Sequence, residues 1–161
     1  MSGTGNNFHN LPHEKKAGRY DRVYNQLQPL LQKTKDPIAR MATIVSVLTH
    51  KFPDFFWCGY YRLVGEELIV GPYQGPLACQ VLEKNKGVCW AGVNKKKSIV
   101  VPDVHAFPGH IACDSRSNSE IVIPCIDAKG NVFAILDIDS KDFNTFDNTD
   151  EYWLTKINSL I

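Results

Sequence analysis

No stretch of about 18 apolar residues occurs anywhere in the 161-residue chain, so its sequence offers no membrane-spanning helix. The opening MSGTGNNFHNLPHEKK lacks a basic segment followed by an apolar core, so secretion is not expected and the reading is cytoplasmic. Basic patches are scarce as well. Net charge is +1, and the only run of three basic residues, Lys95, Lys96 and Lys97, has no aromatics interleaved with it. It reads as a solvated turn ahead of a strand, and nucleic acid is not an expected partner. Internal repeats and low-complexity segments are absent.

The close cysteine and histidine pairs of structural zinc sites are also missing. His105, His110 and Cys113 superficially offer ligands, but their spacing does not match, so no metal is expected and His105 reads as a loop residue with ordinary hydrogen bonds. Five cysteines, Cys58, Cys79, Cys89, Cys113 and Cys125, are an odd number. A chain of this length buries a sizeable core without staples, so no disulfide framework is expected. In a reducing compartment such cysteines are buried fillers, metal ligands or reactive thiols.

What is present is ordinary globular composition, which predicts a flexible polar tail over 1–16 and one domain over 17–161. Apolar residues recur at Tyr20, Val23, Tyr24, Leu27, Leu30 and Leu31 in the rhythm of an amphipathic helix. Asp36 followed by Pro37 opens a second helix, with Met41, Val45 and Leu48 inward. The period then changes to that of a hairpin over 55–70 turning at Gly65 and Glu66, with 71–76 as loop. A short helix carrying Cys79 and Leu82 and a turn carrying Cys89 follow. Strands are expected over 98–101, 119–126 and 131–139, with a long irregular stretch over 102–117, and a helix closes the chain over 147–161. The order predicts an α+β domain, a central antiparallel sheet flanked by N- and C-terminal helices.

A turn within 127–130 brings the strands on either side together. With Ala128 and Lys129 as the turn residues, Glu120 stands opposite Asp137 and diagonal to Asp139. Alternation sends Ile121, Ile123, Ala134 and Leu136 to one face, and Glu120, Val122, Phe133, Ile135, Asp137 and Asp139 to the other. Like charges opposed across a ladder repel, so they call for a divalent cation or a substrate ammonium group, unless the strand ends splay and leave the acids in solvent.

Cys113 lies seven residues before Glu120, in the polar stretch PGHIACDSRSNSE over 108–120, on the loop leading into the same strand. Free cysteines are often small buried hydrophobes. Cys58 and Cys125, inside apolar strands, fit that description; Cys113 does not and reads as a nucleophile, with Cys79 and Cys89, in the other loop-rich region, as its possible resolving partners.

Five motifs in order, GPYQGPLAC at 71–79, GVC at 87–89, VPDVHAFPGHIACD at 101–114, SNSEIV at 117–122 and LDIDS at 136–140, resemble the free methionine-(R)-sulfoxide reductases, which are GAF-domain enzymes. The resemblance spans about residues 17–160. It implies a GAF fold, a homodimer, thioredoxin as reductant and reduction of the free amino acid rather than the protein-bound residue, with no cofactor. Residue by residue, Cys113 matches the cysteine that attacks the sulfoxide sulfur, Cys79 the one that forms a disulfide with it, and Cys89 a third cysteine. Family assignments of the attacking and recycling cysteines differ. Glu120, Asp137 and Asp139 match the substrate-binding acids, and Trp57 and Tyr61 the aromatics beside the sulfoxide. Trp90 departs from the glycine that usually follows the GVC motif, and its bulk is expected to alter the mobility of the loop carrying Cys89. By position Glu120 is the expected proton donor to the departing oxygen. A second reading, from a different class, is a GAF domain that binds a small molecule without chemistry, its cysteines serving at most as redox sensors.

Overall fold

The computed structural model describes residues 13–110 and 113–161. Six strands form one antiparallel sheet in the order β3-β2-β1-β6-β5-β4. They are β1 (Trp57–Val64), β2 (Glu67–Gln74), β3 (Val81–Leu82), β4 (Ile99–Val101), β5 (Ser119–Ile126) and β6 (Val132–Ser140). Four helices accompany them: α1 (His13–Leu31), α2 (Pro37–Lys51), α3 (Gly87–Lys95) and α4 (Asn148–Asn158). The architecture is the expected α+β one. Among the described residues no helix is long and apolar enough to cross a membrane.

Helices α1, α2 and α4 bury their apolar stripes on one face of the sheet. There Tyr20, Val23 and Leu27 of α1, Met41, Ile44 and Leu48 of α2, and Leu154 and Ile157 of α4 meet Cys58, Tyr60, Ile121, Ile123, Cys125, Leu136 and Ile138. Asp36 caps α2 by accepting from the amides of Ile38 and Ala39. Asp147 and Asp150 form a reciprocal capping box on α4. Helix α1 begins earlier than the expected tail allows. Lys16 is held by Asp150 at 2.7 Å, and Tyr20 donates to the same carboxylate at 2.6 Å, which ties the first turns of α1 to the start of α4. Residues 1–12 of that tail lie outside the described residues.

The opposite face carries α3 and the long connections, and a second apolar cluster gathers there around Trp57, Tyr61, Leu68, Val88, Trp90, Val122 and Ile135. Gly92 lets α3 approach closely, since a side chain at that position would stand 3.1 Å from Val122 Cγ2.

Three expectations fail for identifiable reasons. Strand β2 does not stop before Gly71 but runs to Gln74, and a register shift between Gly59 and Tyr61 on β1 absorbs the disruption at Gly71 and Pro72. Helix and turn change places around Cys79. The segment with Leu82 pairs with β2 as the short β3, while the GVC segment starts α3 with Val88, Cys89 and Trp90 buried. In the β5–β6 hairpin the turn is longer than two residues: Asp127 and Asn131 pair, Gly130 has φ +84°, and the register slips again between Cys125 and Ile126.

That register sets Glu120 opposite Asp139, and Val122 opposite Asp137. The displacement is two residues, which preserves the faces, because side chains alternate with period two. Phe133 is the exception. Cys125 pairs with Ala134 and Ile126 with Val132, so Phe133 is the extra residue of a bulge and packs toward the helical core instead of the acids.

Candidate active site

Strand alternation brings Trp57, Gly59 and Tyr61 of β1, Glu120 and Val122 of β5, and Asp137 and Asp139 of β6 to the α3 side of the sheet. Gly59 faces Asp137 on one side and Tyr73 on the other. A side chain at Gly59 would collide with Tyr73 and with the Trp57 ring, so glycine is what allows the aromatics to close over the strand. Trp57 stacks between Tyr61 and Tyr73, at ring-centroid distances of 5.7 and 5.3 Å. Its indole N–H donates to Pro76 O at 3.1 Å, and the Tyr61 hydroxyl donates to Cys79 O at 3.3 Å. The aromatic wall therefore fixes the loop that carries Cys79.

The loop carrying Cys113 descends from the other side. The 3-10 turn Val104–Ala106 opens it, and its far end is pinned by Asn118, whose amide donates to Ser140 O at 2.8 Å. Asp114 accepts three bonds from Arg116, through the backbone amide, Nε and a terminal nitrogen, at 2.7 to 2.9 Å. These bonds hold the Asp114 carboxyl down at about 2. The Arg116 guanidinium lies over the Phe56 ring, 4.8 Å from its centroid. His105 bonds Asn118 at 2.9 Å and is absent from the cleft lining.

Between these walls lies a cleft of about 610 Å³, its open mouth included, lined by Trp57, Tyr61, Cys79's neighbour Ala78, Cys89, His110, Cys113, Glu120, Asp137 and Asp139. The sulfurs of Cys79 and Cys113 are joined in a disulfide, with their Cα atoms 5.9 Å apart. Cys58, Cys89 and Cys125 remain free thiols, the first and last facing the helical core.

The acids are not splayed into solvent: Glu120 and Asp137 are buried, 5% and 7% exposed, and Asp139 is half-buried. Burial, and after it the charge of Asp139, pushes the Glu120 carboxyl up to about 8. Burial followed by Glu120 holds Asp137 well above the usual carboxylate range, and burial followed by Asp137 does the same for Asp139. Burial also lowers the His110 imidazole, whose Nε2 stands 3.5 Å from Glu120 Oε2. Cys89 belongs to helix α3 rather than to a loop, so Trp90, 4% exposed in the same helix, packs as core instead of governing a mobile segment. Burial first and then Asp137 push the Cys89 thiol well up.

Comparison with known proteins gives this constellation a family. No protein-family model matches the chain. A curated relative named free methionine-R-sulfoxide reductase, from Saccharomyces cerevisiae, is 33% identical over 172 residues, covering 99% of this chain and 96% of the relative. The chain belongs to the free methionine-R-sulfoxide reductase family. A GAF domain-containing protein A from Dictyostelium discoideum is 42% identical over 147 residues, 91% of this chain and 92% of the relative. The crystal structure of the Neisseria meningitidis free methionine-R-sulfoxide reductase, in complex with its substrate, superposes with a TM-score of 0.86 at 37% identity, covering 90% of this chain and 87% of that one. The fold is the GAF fold.

In this GAF reductase scaffold the cleft gathers Trp57, Tyr61, Cys89, Cys113, Glu120, Asp137 and Asp139, with Cys79 bonded to Cys113 at its edge, while His105, Cys58 and Cys125 lie outside it. The Glu120 contact of His110 was not foreseen. Its signal was its place three residues before Cys113, on the loop that enters β5.

Proposed function

We propose that this protein reduces free L-methionine-(R)-sulfoxide to methionine. The observation that carries the reading is the meeting at one cleft of Cys113, disulfide-bonded to Cys79, with the acids Glu120, Asp137 and Asp139 and an aromatic wall. The named family relatives support the choice of substrate.

The amino acid's ammonium neutralises the acid cluster, with Asp137 and Asp139 holding it, and the apolar stem bearing the S–O group lies along Trp57 and Tyr61. The Cys113 thiolate attacks the sulfoxide sulfur while Glu120 gives its proton to the departing oxygen. The bond between the Cys113 sulfur and the methionine sulfur then breaks as the hydroxyl passes to Cys113, releasing methionine and leaving a sulfenic acid on Cys113. The Cys79 thiol then displaces that oxygen as water, forming the Cys79–Cys113 disulfide. A thioredoxin-class dithiol returns both cysteines to thiols, becoming oxidised in turn. The scheme needs no resident cofactor, and we place it in a cytoplasmic homodimer with an antioxidant role. A peptide-bound methionine sulfoxide lacks the free ammonium and leaves buried carboxylates unpaired, which disfavours it.

The test is methionine release from racemic free methionine sulfoxide with a dithiol reductant. Half of the racemate should be consumed, and Cys113→Ser should abolish turnover. Absence of turnover, or turnover unchanged in Cys113→Ser, overturns the proposal.

A further inference from the structure

Cys89 has no part in that scheme, yet its thiol is buried in the cleft against the acids. Cys89 Sγ and one carboxylate oxygen from each of Glu120 and Asp137 lie within 4.8 Å of one another. Asp137 Oδ1 is buried and has no hydrogen-bond partner among the described residues. An unpaired buried oxygen costs the full desolvation of that group, so the cleft is organised for a ligand that supplies positive charge. His110 Nε2, 3.5 Å from Glu120 Oε2, adds an imidazole beside the same group.

An ammonium group satisfies carboxylates through hydrogen bonds and gains little from a thiol. A sulfur and two carboxylates converging on one point form a donor set for a borderline-soft divalent cation. Magnesium and calcium are poorly served, because they take six or more oxygen ligands. We propose that, with no amino acid bound, the cleft takes one divalent cation of the zinc class on Cys89 Sγ, Glu120 and Asp137.

Zinc bonds of about 2.3 Å to sulfur and about 2.1 Å to oxygen bring tetrahedral ligand atoms to about 3.5 Å from one another, so the three side chains close in slightly around the ion. The thiol proton of Cys89 and any protons on the two carboxyls leave to solvent as the metal enters. The fourth position takes water or His110 Nε2. The metal site rests on this geometry alone. Its consequence rests on the reductase reading: the ion occupies the place of the substrate's ammonium and so competes with the sulfoxide.

The oxidised protein isolates the site. Cys79 and Cys113 are tied together there, and Cys58 and Cys125, 0% and 2% exposed, face the helical core, which leaves Cys89 as the free thiol in the cleft. Metal-free, oxidised, full-length protein is titrated with Co²⁺ as a spectroscopic stand-in, and then with Zn²⁺ in competition. The expected result is one equivalent bound, with a sulfur-to-cobalt charge-transfer band that Cys89→Ser abolishes and that Asp137→Asn weakens at least tenfold in affinity. Zn²⁺ should displace the cobalt and erase the band. In the reduced enzyme, Zn²⁺ should raise KM for the sulfoxide without changing kcat.

A wild-type protein that shows no band overturns the proposal whatever becomes of the variants, and so does a band that survives in Cys89→Ser. Free methionine separates the two readings. A band that methionine displaces upholds both; a band that methionine leaves untouched upholds the metal site and counts against the acids as the ammonium subsite.

Discussion

Glu120 faces Asp139 directly across the β5–β6 ladder, in a cleft where both carboxyls are held above their usual range. Two acids opposed in this way destabilise the empty fold. Glu120 moves from an ordinary 4.5 to about 8 on folding, so the folded protein binds more protons than the unfolded chain between those values. The contribution of Glu120 to stability is therefore greatest below about 4.5 and falls as pH rises to about 8. Glu120→Gln removes that penalty. Its Tm should match wild type near pH 4 and exceed it increasingly toward pH 8, with a ceiling on the order of a few kcal/mol at about 1.4 kcal/mol per pKa unit. Thermal melts across this range check it; a Tm gain that does not depend on pH rules the explanation out.

The same carboxyl should govern the alkaline limb of catalysis. A proton donor titrating at about 8 in the free enzyme is loaded below that pH and empty above it, so kcat/KM should fall as pH rises through about 8. Glu120→Gln should lower kcat by roughly 10²- to 10⁴-fold and remove this limb. Asp137→Asn and Asp139→Asn should mainly raise KM, because they hold the ammonium in ground and transition state alike. Equal effects of all three substitutions on kcat would refute this division of labour.

The faces of the sheet were legible in the sequence because alternation survives any even slip. The assignment of Glu120, Val122, Asp137 and Asp139 to one side therefore stands, although the register of the β5–β6 hairpin is displaced by two. The partner of Glu120 was not legible. It depends on the φ of Gly130 and on the bulge that ejects Phe133, two backbone features that hydropathy does not record. The cap at Asp36 was readable, because a short side chain ahead of proline answers orphan amides. The exchange of helix and turn around Cys79 and Cys89 was not, because the nine residues of α3, with glycine at 87 and 92, hold too few turns to show a period.

Cys79→Ser should separate the first chemical step from recycling. Without the thiol that condenses with Cys113, the sulfenic acid accumulates. Mixing the reduced variant with excess sulfoxide should release about one methionine per chain and then stall, with a sulfenic-acid-trapping diketone found on Cys113 by mass spectrometry. Continued turnover at the wild-type rate, or the adduct on Cys89, would reassign the resolving or the attacking cysteine.

Gly59→Ala tests whether the aromatic wall positions the substrate and the Cys79 loop together. An added methyl at this site meets the Trp57 ring at 2.7 Å and collides with Tyr73 on the paired strand. The strand cannot yield easily, because Gly59 is paired on both sides, to Tyr73 and to Asp137. The ring must therefore turn, and its N–H then leaves Pro76 O, the carbonyl that steadies the loop three residues before Cys79. Overpacking of this kind costs about 1–3 kcal/mol. The expected outcome is a lowered Tm with a changed tryptophan emission, a KM raised about tenfold or more, and slower closure of the Cys79–Cys113 disulfide after a single turnover. A variant with altered emission but unchanged KM and disulfide rate would show that the wall packs the fold without positioning either the substrate or the cysteine loop.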